Sequence, residues 1–374
     1  MLGEVREDIG YEEKGGIYML SKVYFTDMST SPEMGLLKKL ELLLKKVGLE
    51  KVIEPDHLVA VKLHFGEYGN LSHIRPQYAR VVVDYIKRFK GKPFLTDANT
   101  LYKGHRSNAV DHILNAYLNG FTPEVVGAPV IIADGLRGSD EVEIKIDGEY
   151  VKEAKVGAAV ALADTLVVLT HFKGHEQTGF GGALKNVGMG AASRIGKLEQ
   201  HSDSKPYVRE ENCVACRMCE KHCPENAIIV EKVAKIDYEK CVGCGECIAM
   251  CIYGAMSPKW SSSAEILSKK IAEYALAAVK GKKAIFISFL TQISPDCDCW
   301  HINKPPVVSD IGFAASSDPV ALDQACIDLV LQKAGKDPFL EVHPSVNWKI
   351  QLEHAERIGL GSRAYDLVKV ACDL

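Results

Sequence analysis

Short apolar runs alternate along the chain with longer stretches in which apolar positions recur at helical spacing. Residues 17–25 read as a strand, and residues 32–47 as a helix carrying Leu36, Leu37, Leu40, Leu43, Leu44 and Val47 between charged positions. Residues 58–63 and 165–170 are nearly continuous apolar strands, with shorter ones at 93–96, 130–133 and 284–289. Helices are predicted from Pro76 to about residue 89 and over 107–118, 264–279, 319–332 and 345–357. Strands apolar on both faces and separated by helices predict an α/β fold, a mostly parallel sheet with helices on both faces.

Composition narrows the class. The 374 residues are 47% hydrophobic, enough for a substantial core and two or three domains. A net charge of −4 without a long charged block argues against an extended nucleic-acid surface. Nothing approaches the roughly 18 consecutive apolar residues of a membrane span, and the N-terminus lacks an apolar signal core. Twelve cysteines without such a leader point to a reducing, cytoplasmic compartment. Residues 1–16 read as a polar arm ahead of the first strand.

Eight of those cysteines stand in two matched runs, Cys213, Cys216, Cys219 and Cys223, then Cys241, Cys244, Cys247 and Cys251. The runs repeat after 28 residues, with Pro224 after the first and Ile252 at the matching place after the second. This double pattern resembles the bacterial ferredoxin module that carries two [4Fe–4S] clusters. The resemblance implies one cluster on Cys213, Cys216, Cys219 and Cys251, and a second on Cys241, Cys244, Cys247 and Cys223. Two zinc sites or buried thiols are the alternative. The expected organisation is an α/β body over 17–208 and 259–374, interrupted at 209–258 by a small ferredoxin-like α+β module.

In a parallel α/β sheet, ligands bind beyond the carboxyl ends of the strands. Polar, glycine-rich segments follow three of them: the first carries His64, the second Asp97, and the third runs from His171 to Asn186. Gly179, Gly181 and Gly182, just before Ala183, are placed to turn backbone N–H groups toward an anion, or else to permit a tight packed turn. Lys173 and Lys185 would add charge, Thr178 and Asn186 would orient a ligand, and His171, His175 and Lys185 are the candidate catalytic groups. Cys297 and Cys299, with His301 beside them, suggest a third metal site, a redox thiol pair, a substrate contact or plain free thiols. Cys326 and Cys372 read as packing residues.

Three of these segments carry a wider resemblance: His171 to His175, Thr178 to Asn186, and Asp318-Pro319-Val320-Ala321-Leu322-Asp323. They resemble the family known as domain of unknown function 362, in the branch with an inserted ferredoxin module. That resemblance implies an iron–sulfur α/β protein and carries no reaction. The function expected from sequence is an iron–sulfur oxidoreductase or its electron-delivering component. It would pass electrons from a redox partner protein through two [4Fe–4S] clusters to a small anion in the crevice. A non-catalytic ferredoxin-like carrier or a ligand-sensing iron–sulfur protein is the alternative.

Overall fold

The computed structural model describes residues 20–102, 104–201, 205–223, 225–241, 246–257 and 264–370. The expected N-terminal arm at 1–16 and the positions of Pro224, Cys244 and Cys372 lie outside them. Eight strands form the central sheet: β1 (Ser21–Asp27), β2 (Leu58–Lys62), β3 (Lys92–Asp97), β4 (Val130–Ile132), β5 (Thr165–His171), β6 (Lys283–Leu290), β7 (Gly312–Ser316) and β8 (Tyr365–Lys369). Their order across the sheet is β8-β1-β7-β6-β5-β2-β3-β4. From β6 to β4 every pairing is parallel, whereas β7 runs antiparallel to both β6 and β1. The sheet is therefore mixed. The chain leaves it after β5 and returns to pair β6 beside β5, with Phe286 opposite Val168.

Side-chain alternation on the strands explains why both faces are apolar. Val59, Val61, Val167, Leu169, Ile285 and Ile287 point to one face, where helices Leu36–Val47 and Pro76–Arg88 cover them. Ala60, Leu166, Val168 and Phe286 point to the other, under helices Ala264–Val279 and Pro319–Ala334. Each fully buried aliphatic side chain contributes about 2 kcal/mol. Two helix N-termini are fixed by the sequence itself. Asp318 caps the amides of Val320 and Ala321 with Pro319 in the first turn, and Asn108 caps Asp111.

The 209–258 stretch corrects an expectation. With Tyr207–Val208 just ahead of it, it forms two short ladders, Tyr207–Val208 with Met256–Ser257 and Ile228–Val230 with Ala234–Ile236, and helices Met218–Lys221 and Glu246–Met250. Among the described residues, no group of three or more His, Cys, Asp or Glu side chains is arranged to hold a metal ion. Among the described residues, the separate cluster-binding ferredoxin-like module read from the cysteine spacing is therefore not formed. Cys219 and Cys247 pack with Leu101, Leu198, Ile228, Val230 and Met256 in a small apolar core. Cys213, Cys223 and Cys251 accept backbone N–H groups from Ala234, Ala227 and Met256. Cys213, Cys216, Cys219 and Cys251 do line one cavity, but its volume of about 20 Å³ has room for about one water. Burial, with Cys251 alongside, pushes the Cys219 thiol up to about 11.

Candidate functional site

The carboxyl ends of β2, β3, β5 and β6 open onto one cavity of about 530 Å³, within the ordinary range for small-molecule sites. Its wall takes Lys62 and His64 from the end of β2, Asp97 from the end of β3, and Tyr102 and Arg106 from the loop that follows. The hairpin Lys173–His175/Gly179–Gly181 supplies Lys173 and His175, and the short helix after it supplies Lys185 and Asn186. Lys197 and His201, one turn apart on helix Arg194–His201, close one side, and Cys297, Cys299 and Trp300 close another.

Most of the charge here is committed. Lys62 is fully buried and bonds Asp97 at 2.9 Å and Asn186 Oδ1 at 2.8 Å. Burial lowers the Lys62 ammonium despite the attraction of Asp97. Burial alone would raise Asp97, but Lys62 and His112 hold it well below the carboxylate range. Arg106 donates to Glu67 at 2.8 Å and to the Tyr102 hydroxyl at 2.8 Å, and its third nitrogen lies 2.8 Å from His64 Nε2. Lys197 donates to the Ala192 carbonyl, and burial brings it down to about 8, with Asp134 pulling the other way. Lys173 bonds the His171 carbonyl at 3.0 Å and Asp298 at 3.2 Å. Lys185 is different: it forms no ion pair with a described carboxylate, and its Nζ stands 4.0 Å from Cys297 Sγ.

The two thiols sit in a turn closed by the Trp300 amide on the Cys297 carbonyl at 3.2 Å. Cys297 Sγ donates to Cys299 Sγ at 2.9 Å, and His64 Nε2 lies 3.4 Å from Cys299. The Gly66 amide donates to His64 Nδ1 at 2.9 Å, while Nε2 faces both the Arg106 guanidinium at 2.8 Å and the Cys299 sulfur. The Cys297 S–H, then His64 and Arg106, hold the Cys299 thiol well below its usual range against the opposing effect of burial. The same hydrogen bond and burial push Cys297 up. Cys299 is the thiolate of the pair and Cys297 its donor.

The structure assigns different places to the residues expected from sequence. His64, Asp97, Lys173, His175, Gly181, Gly182, Lys185, Asn186, Cys297 and Cys299 all reach the cavity. His171 does not line it. Both its ring nitrogens are engaged behind the wall, by Asp298 at 2.8 Å and the Thr291 carbonyl at 2.9 Å. Thr178 turns its hydroxyl onto the Phe180 carbonyl, and Gly179 lies against Trp348. The N–H groups of Ala183 and Leu184 go to Asp323, at 2.7 and 2.9 Å, and are not directed at the cavity. Gly182 leaves room for that carboxylate, as Gly174 leaves room for the Pro295 carbonyl. His175 accepts the amides of Gln177 and Thr178 on Nδ1, and burial, then Lys185, keeps it well below the usual histidine range. It presents a neutral imidazole.

Arg106, Lys197, His201, Tyr102 and Trp300 were not among the residues predicted. Only Lys197 and His201 carry a sequence signal, a basic and an imidazole group four apart on a short helix. The metal role expected for Cys297 and Cys299 is not met among the described residues. Two sulfurs meet there with His64 on one of them, and His301 is exposed.

Fold and crevice together describe an α/β protein with a ligand-sized cleft at the carboxyl edge of a mixed sheet. The description "Domain of unknown function (DUF362)" matches residues 59–328, most of the chain, and the protein belongs to that family. Local similarity links it to a component of the ion-translocating oxidoreductase complex of Methanosarcina acetivorans, 51% identical over 45 residues, 12% of this chain and 17% of that one. Pyruvate synthase subunit PorD of Methanothermobacter marburgensis is 34% identical over 71 residues, 19% of this chain and 82% of that protein. The chain thus spans under a fifth of the length of the Methanosarcina protein. The lactate racemase apoprotein of Thermoanaerobacterium thermosaccharolyticum aligns over 83% of this chain and 57% of its own, at 12% identity and a TM-score of 0.41.

These similarities to oxidoreductase components do not restore the two [4Fe–4S] clusters. The expected sets, Cys213, Cys216, Cys219 with Cys251 and Cys241, Cys244, Cys247 with Cys223, do not form metal-holding groups among the described residues. The iron–sulfur oxidoreductase, its electron-delivering variant and the ferredoxin-like carrier fall with them. Among the described residues no helix is long and apolar enough to cross a membrane.

Proposed function

We propose that the crevice binds a small organic anion, a carboxylate or phosphate ester, and presents the Cys299 thiolate to it. The observation that carries this reading is Lys185, an ammonium inside a 530 Å³ cavity with no described carboxylate paired to it. Its acceptor in the cavity is the weak Cys297 sulfur at 4.0 Å, and an anion would supply a stronger one. Lys173 lines the same wall, and the neutral His175 adds an N–H donor for an anion's remaining oxygen. Leu267, Ile271, Met189 and the Trp300 ring add an apolar patch to the wall, which suits a ligand with a short carbon skeleton.

Calorimetric titration with a panel of small mono- and dicarboxylates and phosphate esters tests the proposal. At least one member binds more tightly than millimolar, and Lys185→Met weakens it about tenfold, or about 1.4 kcal/mol. Millimolar or weaker binding across the panel, or affinity untouched by Lys185→Met, rejects the anion site.

A further inference from the structure

Cys297 and Cys299 have different access to the cavity. Both line it, but Cys299 is half-buried and reaches the open space, whereas Cys297 is only 2% exposed. Their sulfurs are 2.9 Å apart because the 297–300 turn puts residues i and i+2 on one side. Asp298, between them, points the opposite way and is tied to His171 and Lys173 at 2.8 and 3.2 Å. The Asp298 carbonyl accepts the Glu67 amide at 3.0 Å, so the loop after β2 holds the turn from the other side. An accessible thiolate with a buried thiol in contact and a cation beside them is the layout of an attacking and a resolving cysteine.

We propose that Cys299 and Cys297 form a dithiol–disulfide couple whose partner is a small disulfide bearing carboxylates. The inference rests on the anion-binding reading for the class of its substrate, and on the thiol geometry for its chemistry. In the first step Cys299 Sγ attacks one sulfur of the small disulfide. The new bond joins Cys299 to that half, the original S–S bond breaks, and the other half leaves as a thiolate. Cys297 then gives its proton to a leaving thiolate and attacks Cys299 Sγ. The mixed disulfide breaks, the second half departs, and Cys297 is bonded to Cys299. Two electrons pass from the protein pair to the small disulfide, and the Cys297 proton leaves with one product thiol. Lys185, 4.0 Å from Cys297 Sγ, stands where a departing anionic thiolate would be held.

The test uses the reduced full-length protein with two matched reagents, oxidised glutathione as the anionic disulfide and cystamine as the cationic one. Peptide mass spectrometry reports each cysteine, with exposed Cys216 as the internal reference. Wild-type protein is expected to form the Cys297–Cys299 disulfide and release two thiols per turnover, at least tenfold faster with oxidised glutathione. Cys297→Ser is expected to stop at the Cys299–glutathione adduct, and Cys299→Ser to form none at either position. The wild-type arm needs no variant, so poor folding of a mutant leaves the result readable. Cys299 labelling no faster than Cys216, or no bond between Cys297 and Cys299, overturns the couple. If carboxylates still bind by calorimetry in that case, the proposed function survives without it. Equal rates with the two reagents overturn the substrate class, and equal rates without carboxylate binding remove both readings.

Discussion

Cys299 owes its charge to three neighbours that can be removed singly. The Cys297 S–H is the largest contributor, followed by His64 and Arg106, and burial opposes all three. A thiolate reacts at a rate set by its ionised fraction, so alkylation stays flat with falling pH until the thiol's own pKa is reached. We expect Cys299 alkylation by iodoacetamide, followed by peptide mapping, to stay level from pH 9 to below 7. Cys297→Ala should move the break point upward further than His64→Ala does, and a break near the ordinary thiol range in wild type would contradict the assignment. Lys197 makes a separate pH prediction. Burial sets it at about 8, so it loses its charge as pH rises through that value. Anion affinity should fall between pH 7 and 9, and Lys197→Met should be weaker at pH 7 with a flatter profile over that interval. A wild-type affinity that rises across the interval would exclude Lys197 from the site.

Helix Pro319–Ala334 shows how a local signal can carry long-range structure. Asp318 Oδ1 takes the amides of Val320 and Ala321, while Oδ2 takes the Ser21 hydroxyl at 2.7 Å and the Ser362 amide at 2.9 Å. One cap thus joins the helix to β1 and to the loop before β8. Asp318→Ala should cost about 2 kcal/mol or more in urea unfolding, above the usual cap loss of about 1, because four bonds go together. A loss under about 0.5 kcal/mol would mean the long-range bonds contribute nothing.

That helix was legible in the sequence through Asp318-Pro319, and β2, β5 and β6 through their continuous apolar runs. β7 was not. Its sequence Gly-Phe-Ala-Ala-Ser lacks β-branched residues, since Ala314 and Ala315 must be small to pack between the two helical layers. β8, an edge strand with two of its five residues exposed and none buried, shows no apolar run either. β7, antiparallel to both its neighbours, turns an expected mostly parallel sheet into a mixed one, whereas β8 pairs parallel with β1. The hairpin Glu141–Lys145/Glu153–Gly157 carries more charge than apolar surface and escaped notice for the same reason. The cysteine runs misled in the opposite direction: their spacing specified ligation, whereas the described thiols pack and accept amide hydrogen bonds.

Across the molecule, the crevice exists because four distant segments lock onto one another. The loop after β2 holds the thiol turn, with the Glu67 amide on the Asp298 carbonyl and Asn70 Nδ2 on the Trp300 carbonyl at 3.1 Å. Glu67 also grips Arg106 and His105, and so brings in the loop after β3. The hairpin after β5 meets the thiol loop from the other flank, the Gly174 amide donating to the Ser294 carbonyl at 2.8 Å. None of this was visible in the sequence, because the partners lie far apart along the chain and no periodicity records their contact. Gly174 is the tightest point, for a Cβ there would overlap the backbone carbonyl of Pro295, which has no rotamer to give way. Gly174→Ala must therefore push the 294–299 segment off the hairpin, carrying Cys297 away from Lys185 and Asp298 away from Lys173. Its effect should appear at the thiols before it appears in the core. We expect Cys299 alkylation at pH 7 to drop several-fold and anion affinity to fall with it. Gly254→Ala, where nothing lies within 4 Å of the added Cβ, should leave both unchanged despite the strain of its positive φ. Wild-type reactivity and affinity in Gly174→Ala would show that hairpin and thiol loop move independently, and that Lys185 and Cys299 do not belong to a single site.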